Sequence, residues 1–384
     1  MFAKLNLTTL RRRDLLKIDE AECYGYEINR DYLTNEKTTF NPIKKMECEQ
    51  GDLILAKTES GKYLEGILSD DEIKPIYIGV IDSFDGNSIE VCDIYNLLNF
   101  EFVATRKTGV NGEGHLLNLI ERYLIQPTKN FPRTLDITID NTNPTAYSYQ
   151  PSDPPTPTNL KDYFIQFFKK YNIVWEVDSV HYVPSLPFIS PSLVEKGVTY
   201  NTSAMLGVET SIVRRTETIN LKNNVYNFVN WSVYVTPANI GVENMLQIVD
   251  KRTTDSENPI ILSTWYLTKD GGLTQSVNDD IDYPTRTKVV IYDTTEDEPP
   301  TFLEVAQSEL AGSTYAHEIN FDINADNNFF DVTDLKIGML ANIVYDDTIF
   351  SSVLTGYVIK SDSKWISLRF GNIRSTLQSV IDNL

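Results

Sequence analysis

The first hundred residues alternate short apolar runs with glycine, asparagine and aspartate. Three such runs lie at residues 53–56, 76–81 and 89–91. Apolar segments of this length, bounded by turn-forming residues, are typical of short strands. The pattern therefore predicts a first small antiparallel β-barrel or sandwich over residues 1–107.

A helical period replaces this pattern after residue 108. Residues 109–114 are rich in glycine, and the apolar positions that follow share one helical face. These positions are Leu116, Leu117, Ile120 and Leu124. They predict an amphipathic helix over residues 115–126. The glycine-rich stretch lacks the Lys-Ser/Thr ending of a P-loop, so a flexible loop is favoured over a nucleotide site.

A second helix is predicted after a proline-rich loop at residues 143–157, where Thr158 and Asn159 can cap it and Asn172 ends it. Its apolar stripe consists of Leu160, Phe164, Phe167, Phe168 and Tyr171. Strand candidates lie at residues 135–139, 173–177 and 180–184. This mixture predicts an α+β domain over residues 108–205.

β patterns return between residues 206 and 235, most strongly at residues 226–234, and a polar, Asp-rich segment follows. Its own strand candidates lie near residues 260–267 and 288–292. Thr301 and Glu304 form a capping box that predicts a short helix. This segment predicts an inserted α+β domain over residues 237–308.

Three strand-like runs close the chain, after an alternating segment with Ile319, Phe321 and Ile323 turned to one side. The closing runs lie at residues 340–345, 353–360 and 365–370. With residues 206–236 they predict a second β-barrel, split by the insertion and completed by residues 309–384. The expected fold is mainly β with α+β insertions: two related small β-barrels plus two additional α+β domains.

The two predicted barrels share a sequence pattern. Residues 77–98 and 354–377 each contain two apolar runs, a polar turn and a final apolar segment, and the pattern matches Gly79 with Gly356. Such similarity indicates internal duplication, which favours symmetric assembly over catalysis as the purpose of the fold.

Composition and charge narrow the functions that fit. Of 384 residues, 41% are hydrophobic and 23% charged, which is typical of a globular protein too long for one compact core. The 34 basic and 54 acidic side chains give a net charge of −20, and the densest basic cluster is only residues 11–13. Nucleic-acid binding by charge neutralisation is therefore not expected. A protein this acidic can still line a passage through which nucleic acid slides.

The cysteines and the amino terminus indicate where the protein is made. Cys23, Cys48 and Cys92 are odd in number and widely spaced, so they are interpreted as reduced core residues. The start has no apolar stretch of secretory type, and no run of eighteen apolar residues occurs. We expect synthesis in a cytoplasm and no membrane segment.

No catalytic, cofactor-binding or metal-binding residue is predicted. The sequence contains no GxSxG, HExxH, GxxxxGK[ST] or paired CxxC motif. Its histidines are His115, His181 and His317, and each is interpreted as structural or surface-exposed because no nucleophile or orienting carboxylate accompanies it in a recognised arrangement.

One segment invites a calcium interpretation. Alternating oxygen ligands occur at Asp322, Asn324, Asp326 and Asn328. However, Asn327 stands where a calcium loop needs glycine, and Thr333 stands where it needs glutamate. The alternation also follows from a strand with Phe321 and Ile323 turned inward, so the strand is favoured.

The order of these motifs resembles the tail hub proteins of long-tailed bacteriophages, the baseplate hub or tail-associated proteins of siphophages and myophages. The resemblance rests on residues 335–344, 355–360 and 366–374 at the end, on residues 77–98 for the first barrel, and on residues 159–177 for a helix-strand middle domain. It touches most of the chain.

The resemblance implies a homotrimer whose two barrels per chain build a ring of six similar units. Such a hub adapts threefold to sixfold symmetry, closes the distal end of the tail tube and opens for DNA, which passes without specific binding. The implied partners are a distal tail ring or tail tube protein, other baseplate or receptor-binding proteins and a tape measure protein. The implied location is the virion tail tip, after synthesis in the host bacterial cytoplasm.

Two other functions stay open at this point. Larger relatives continue into peptidase or lysozyme domains, whereas this sequence ends after the second predicted barrel, so no enzymatic activity is expected. The alternatives are a receptor- or carbohydrate-binding virion protein and, with less support, a cell-wall hydrolase.

Overall fold

The computed structural model describes seventeen segments of the chain. They are residues 4–12, 15–33, 36–58, 75–104, 111–125, 135–140, 156–183, 205–215, 218–222, 228–235, 243–268, 272–278, 281, 287–295, 299–310, 317–327 and 329–371. Strands account for 56% of these residues and helices for 16%. The prediction of a mainly β fold is therefore confirmed.

The elements follow the chain in three groups. The first strands are β1 (Leu5–Leu10), β2 (Lys17–Asp31), β3 (Thr38–Pro42), β4 (Leu53–Lys57), β5 (Tyr77–Asp85), β6 (Ser88–Asp93) and β7 (Glu101–Ala104). The middle group is α1 (Gly112–Ile120), β8 (Leu135–Asp140), β9 (Thr156–Asn159), α2 (Leu160–Tyr171), β10 (Ile173–Val183) and β11 (Met205–Arg214). The last group is β12 (Thr218–Lys222), β13 (Phe228–Val235), β14 (Met245–Asp250), β15 (Ile261–Leu267), β16 (Leu273–Thr274), β17 (Thr287–Tyr292), α3 (Phe302–Leu310), β18 (His317–Asn324), β19 (Leu340–Tyr345), β20 (Thr348–Lys360) and β21 (Trp365–Gly371).

Six strands of the first group close into a barrel. They pair in the order β1-β4-β5-β6-β3-β2, and β2 pairs back with β1. All six pairings are antiparallel. Leu7, Phe40 and Leu55 are among its fully buried side chains. The small antiparallel barrel predicted for this part of the chain is therefore present, and closure leaves it without a continuous free edge.

A second set of six strands repeats this order. The strands pair as β12-β19-β20-β21-β18-β13, which matches β1-β4-β5-β6-β3-β2 strand by strand and in chain order. The four pairings from β19 to β13 are antiparallel, as in the first unit. The first strand differs, because β12 runs parallel to β19. No pairing between β12 and β13 is found among the described residues, so β13 has one unpaired edge.

The match extends to the register of individual residues. Across β2, β3, β6 and β5 one row of opposing residues is Glu27, Thr39, Glu90 and Ser83. Across β13, β18, β21 and β20 the same row is Ser232, Asn320, Arg369 and Gly356. Each row lies next to a β-bulge in its last strand. The two units therefore share a strand pattern in detail.

This register corrects one detail of the repeat inferred from sequence. Gly356 is equivalent to Ser83, four residues beyond Gly79. The sequence match was drawn through the two glycines, but the register is fixed by bulges after Ile81 and after Leu354. The final segment of the predicted repeat, residues 373–377, lies outside the described residues.

A three-stranded sheet and two helices form the middle of the chain. β10 and β11 are antiparallel, and β8 runs parallel to β11. Sequence alone predicted two strands at residues 173–184, whereas β10 is one strand with a bulge between Val177 and Ser179. Sequence also assigned residues from 206 onward to the second barrel, but β11 belongs to this sheet. The remaining domain boundaries stay predictions.

Both predicted caps of the second helix are present. The Asn159 side chain accepts hydrogen bonds from the amides of Lys161 at 2.9 Å and Asp162 at 3.3 Å. Asn172 ends α2 in the left-handed conformation, with φ of 55°. Its side chain donates to the carbonyls of Arg215 at 3.0 Å and Gly338 at 2.7 Å. The helix end therefore anchors the middle sheet to the second unit.

The segment between β13 and β18 packs around a small core of its own. β16, β15, β14 and β17 form a sheet, and α3 lies against β14. Thr301 and Glu304 make the predicted capping box: the Glu304 amide donates to Thr301 Oγ1 at 3.3 Å, and the Thr301 amide donates to Glu304 Oε2 at 2.6 Å. This core contains Leu246, Ile248, Tyr292, Val305, Ala306 and Leu310.

Candidate assembly interface

The two six-stranded units are joined side by side through β2 and β20. Residues Glu27 to Asp31 pair antiparallel with Gly356 to Lys360. The pairing continues at both ends, where the amide of Tyr32 donates to the Thr355 carbonyl at 3.1 Å and the amide of Ser361 donates to the Tyr26 carbonyl at 3.0 Å. The twelve strands therefore form one continuous sheet.

Strand length explains why this junction can form. β20 has 13 residues, and its first half pairs with β19 as far as Val353. Beyond that point its edge is open, so β2 can add to it. β2 is itself 15 residues long and reaches past the end of β1 pairing at Cys23. Each unit thus supplies a strand that extends beyond the neighbouring strand in its own unit, β2 beyond β1 and β20 beyond β19.

A largely shielded ion pair supports the junction from the first unit. Arg30 Nε donates to Asp93 Oδ2 at 2.9 Å, and both side chains are largely shielded from solvent. Burial is the largest single influence on the pKa of the Arg30 guanidinium and would lower it, but the Asp93 carboxylate and the neighbouring Tyr357, Tyr95 and Tyr77 together outweigh burial, so the net direction is upward. Tyr357 on β20 lies directly opposite Arg30.

Charged side chains also cross the junction at its surface. Arg369 on β21 pairs with Asp31 and, at 3.4 Å, with Glu36, and Lys360 pairs with Glu27 at 3.3 Å. A polar cleft of about 350 Å³ opens beside these residues. Its walls include Asn230, Glu318, Asn320 and Asp322.

The calcium interpretation gains no support from the described residues. Asp322 accepts a hydrogen bond from Asn230 Nδ2 at 2.6 Å, and Asn324 Oδ1 accepts from the Asp326 amide at 3.0 Å within a turn. Phe321 and Ile323 face the core, as the strand pattern predicted. Asn328 lies outside the described residues. In the described part of the chain, no three acidic, histidine or cysteine side chains are grouped to hold a metal ion.

Two of the histidines, His115 and His317, contact neutral hydroxyl groups. His115 Nε2 lies 3.0 Å from Tyr163 Oη, and His317 Nε2 lies 2.8 Å from Ser352 Oγ. Both rings are buried. His181 lies on β10.

The cysteines are unpaired, and burial raises the pKa of each thiol, although Cys23 is the only one that is fully buried. Each of the described helices is too short or too polar to cross a membrane.

Among the described strands, the edges of β13 and β5 that are equivalent to the two sides of the junction have no partner strand. No described strand pairs with the free edge of β13, which carries Tyr234 at 59% exposure. The other open edge is the end of β5 beyond the reach of β4, where Phe84 is 44% exposed. Sequence reasoning gave no role to these residues or to the Arg30–Asp93 pair, because pairing between distant segments leaves no local signal.

Comparison with known proteins shows which solved structures share this fold. No family model matches the sequence, and no curated protein matches it. A chain of the phage P2 baseplate in its activated conformation with Ca is 13% identical, with a TM-score of 0.51, and the match covers 97% of this chain and 100% of that one. The chain has the fold of a phage baseplate protein. The resemblance inferred from the sequence is thereby confirmed at the level of fold.

Other solved structures give similar coverage. A topological model of the P2 virion baseplate in activated conformation matches with the same identity, TM-score and coverage. The tail protein from Neisseria meningitidis MC58 is 9% identical with a TM-score of 0.48, over 95% of this chain and 96% of that one.

Proposed function

We propose that the chain is a structural component of a phage tail, a homotrimeric hub at the distal end of the tail tube. One observation carries this proposal: two units with the same strand order already lie side by side in one chain, joined through β2 and β20. Three such chains supply six similar units. A threefold assembly can therefore present a nearly sixfold ring to a tail tube or distal tail ring.

Two further observations support this role. The fold matches a phage baseplate chain over almost its whole length. The net charge of −20 disfavours adhesion of a DNA backbone, so a passage lined by this protein would let DNA slide. In this proposal the hub closes the tube, opens for DNA and contacts a tail ring or tube protein, other baseplate or receptor-binding proteins and a tape measure protein, in a virion built in the host cytoplasm.

Light scattering on a size-exclusion column tests the trimer. One chain weighs 43.7 kDa, so three copies weigh about 131 kDa, and we expect that mass together with a ring of threefold outline in negative-stain images. A stable monomer across micromolar concentrations would contradict the proposal.

Two assays distinguish the other functions. A cell-wall hydrolase would clear peptidoglycan as the purified chain and lose this activity when one carboxylate is replaced. A carbohydrate-binding protein would release or absorb heat with saccharides in calorimetry. We expect neither signal from a trimeric sample, and either one would redirect the assignment.

A further inference from the structure

We propose that the free edge of β13 in one copy of this chain pairs antiparallel with the open end of β5 in a second copy. The register is the one that β2 and β20 use within a chain. This inference rests on the proposed trimer and deepens it, because it names the surface through which neighbouring copies contact each other.

The first step is the equivalence of the four strands. The matching rows of residues place Ser232 of β13 at the position of Glu27 of β2, and Gly356 of β20 at the position of Ser83 of β5. A chain therefore contains the two halves of the junction twice. Within the chain β2 pairs with β20. Their equivalents among the described strands, β13 and β5, do not pair with each other within the chain.

The second step is that β5 and β20 lose their neighbouring strand, β4 or β19, at equivalent positions. Ile81 in β5 and Leu354 in β20 each exchange two backbone hydrogen bonds, of 2.8 to 2.9 Å, with the loop that precedes β4 or β19. In β20 the edge beyond Leu354 is covered by β2. In β5 the edge beyond Ile81 pairs with no described strand on that side. Its backbone groups are thus available for one more strand.

The third step is exposure at equivalent positions. Phe84 occupies the position of Tyr357, which is only 6% exposed because β2 covers it, whereas Phe84 is 44% exposed. Tyr234 at 59% exposure occupies the position of Asn29, which lies inside the junction. Phe84 therefore lies where an added strand would bury it, and Tyr234 lies where an added strand would cover part of it, as Asn29 is half-buried in the junction. Burial of this apolar area would favour the pairing.

The fourth step selects a second copy as the occupant. An unpaired strand edge is a general hazard for uncontrolled pairing, so natural proteins cover or blunt it. In this chain the β2–β20 junction shows which strand fits the open edge. Because β13 is equivalent to β2 and β5 is equivalent to β20, β13 of a second copy fits the open edge of β5. The contact joins different surfaces of the two copies, so it is head-to-tail, and a head-to-tail contact builds a closed ring when its rotation closes.

The template fixes the register. Within the chain Glu27 faces Lys360, Asn29 faces Val358 and Arg30 faces Tyr357. The equivalent pairs between copies that fall within both strands are Tyr234 with Asp85 and Val235 with Phe84, because β5 ends at Asp85. The backbone amide and carbonyl of Asn29 bond to the Thr38 side chain on the opposite edge of β2. Tyr234 and Asp85 thus form a non-hydrogen-bonded pair, whose close Cα approach suits a disulfide.

Engineered cysteines test this register. Tyr234→Cys and Asp85→Cys are placed in separate copies with different affinity tags, co-expressed, purified through both tags and oxidised. We expect a covalent dimer that contains one copy of each variant, and covalent trimers from the double variant. The out-of-register control, Tyr234→Cys with Ser83→Cys, should give at least tenfold less product. The chain without engineered cysteines measures the background cross-linking that comes from Cys23, Cys48 and Cys92.

A second measurement does not depend on disulfide chemistry. Phe84→Asp should raise the concentration at which trimers dissociate at least tenfold, because it places a charge in the added sheet. Tyr24→Asp replaces another exposed aromatic residue, 52% exposed and outside the proposed contact, and should leave assembly unchanged. Circular dichroism of both variants confirms that the chain still folds.

The outcomes separate this contact from the proposed function. A trimeric mass without Tyr234–Asp85 cross-links, or with equal yield from the Ser83 control, overturns the contact and leaves the hub. Cross-linking of Asp85→Cys to itself also overturns it, since that would be a twofold contact. A monomer at every concentration overturns both proposals.

Discussion

Gly51 and Gly338 hold equivalent positions in the two six-stranded units. Each has a positive φ, of 92° and 85°. Each donates its amide to the second strand after it along the chain: Gly51 donates to the Ile81 carbonyl of β5 at 2.8 Å, and Gly338 donates to the Leu354 carbonyl of β20 at 2.9 Å. The two glycines therefore preserve one backbone device in both halves of the repeat, and only glycine adopts such φ values without strain.

Alanine at these two glycines should destabilise the protein to different extents. The left-handed backbone costs a side chain roughly 1–2 kcal/mol at either position. A Cβ at Gly338 would also come within 3.0 Å of Asn172 Oδ1, whereas at Gly51 the nearest atom is an Arg12 nitrogen at 3.9 Å. We expect a lower urea midpoint for both variants and a clearly lower one for Gly338→Ala. Equal loss would show that Asn172 can move aside.

Removal of the Asp93 carboxylate should be costly. Asp93→Asn leaves the shielded Arg30 guanidinium without its counter-ion, and breaking such a pair typically costs about 3–5 kcal/mol. The control is Glu90→Gln, which removes a carboxylate that pairs with Lys37 at 2.8 Å on the surface. Exposed pairs contribute about 0–1 kcal/mol. Urea unfolding at pH 7 measures both, and similar losses would contradict the importance of the shielded pair.

The protein should lose stability in alkaline solution. Burial raises the pKa of Tyr26 to about 12 and raises the pKa of Tyr32 as well. In the unfolded chain these phenols titrate near 10, so above that pH the unfolded state loses protons first. The contribution is therefore intact below pH 10 and is lost as the pH rises towards 12 and beyond. Urea midpoints at pH 8, 9.5 and 11 check this, together with phenolate absorbance at 295 nm.

Tyr32→Phe is the matched variant for this pH dependence. The Tyr32 hydroxyl is buried and has no hydrogen-bond partner in the described part of the chain. Its removal should stabilise the protein at pH 7 by about 1 kcal/mol, in line with the cost of a buried unsatisfied group, and should make the alkaline decline shallower. An unchanged slope would mean that other groups cause the decline.

Local features of the fold were predictable from sequence, and long-range ones were not. Asn159 and Asn172 cap a helix whose apolar spacing is visible in the sequence, and these interactions span a few residues. The strand register was predicted incorrectly at Gly79 and Gly356, because a bulge shifts pairing without altering composition. The β2–β20 junction was missed because it joins segments more than 300 positions apart. The phage tail resemblance depended on the order of many loose motifs, and the fold confirms it.

The inserted sheet should respond to mutation largely on its own. The buried core around Ile248 shares no member with the main core, so loss of Ile248 packing should open this sheet first. Ile248→Ala should cost about 3 kcal/mol locally and accelerate amide exchange in residues 243–268 and 287–310, with β18 to β21 unchanged. Val289→Ala, at an exposed position of the same sheet, should change exchange little. Because α3 also contacts α2, α2 is the element outside the inserted sheet in which we expect faster amide exchange. Uniform acceleration across the barrels would instead show that the whole chain unfolds as one unit.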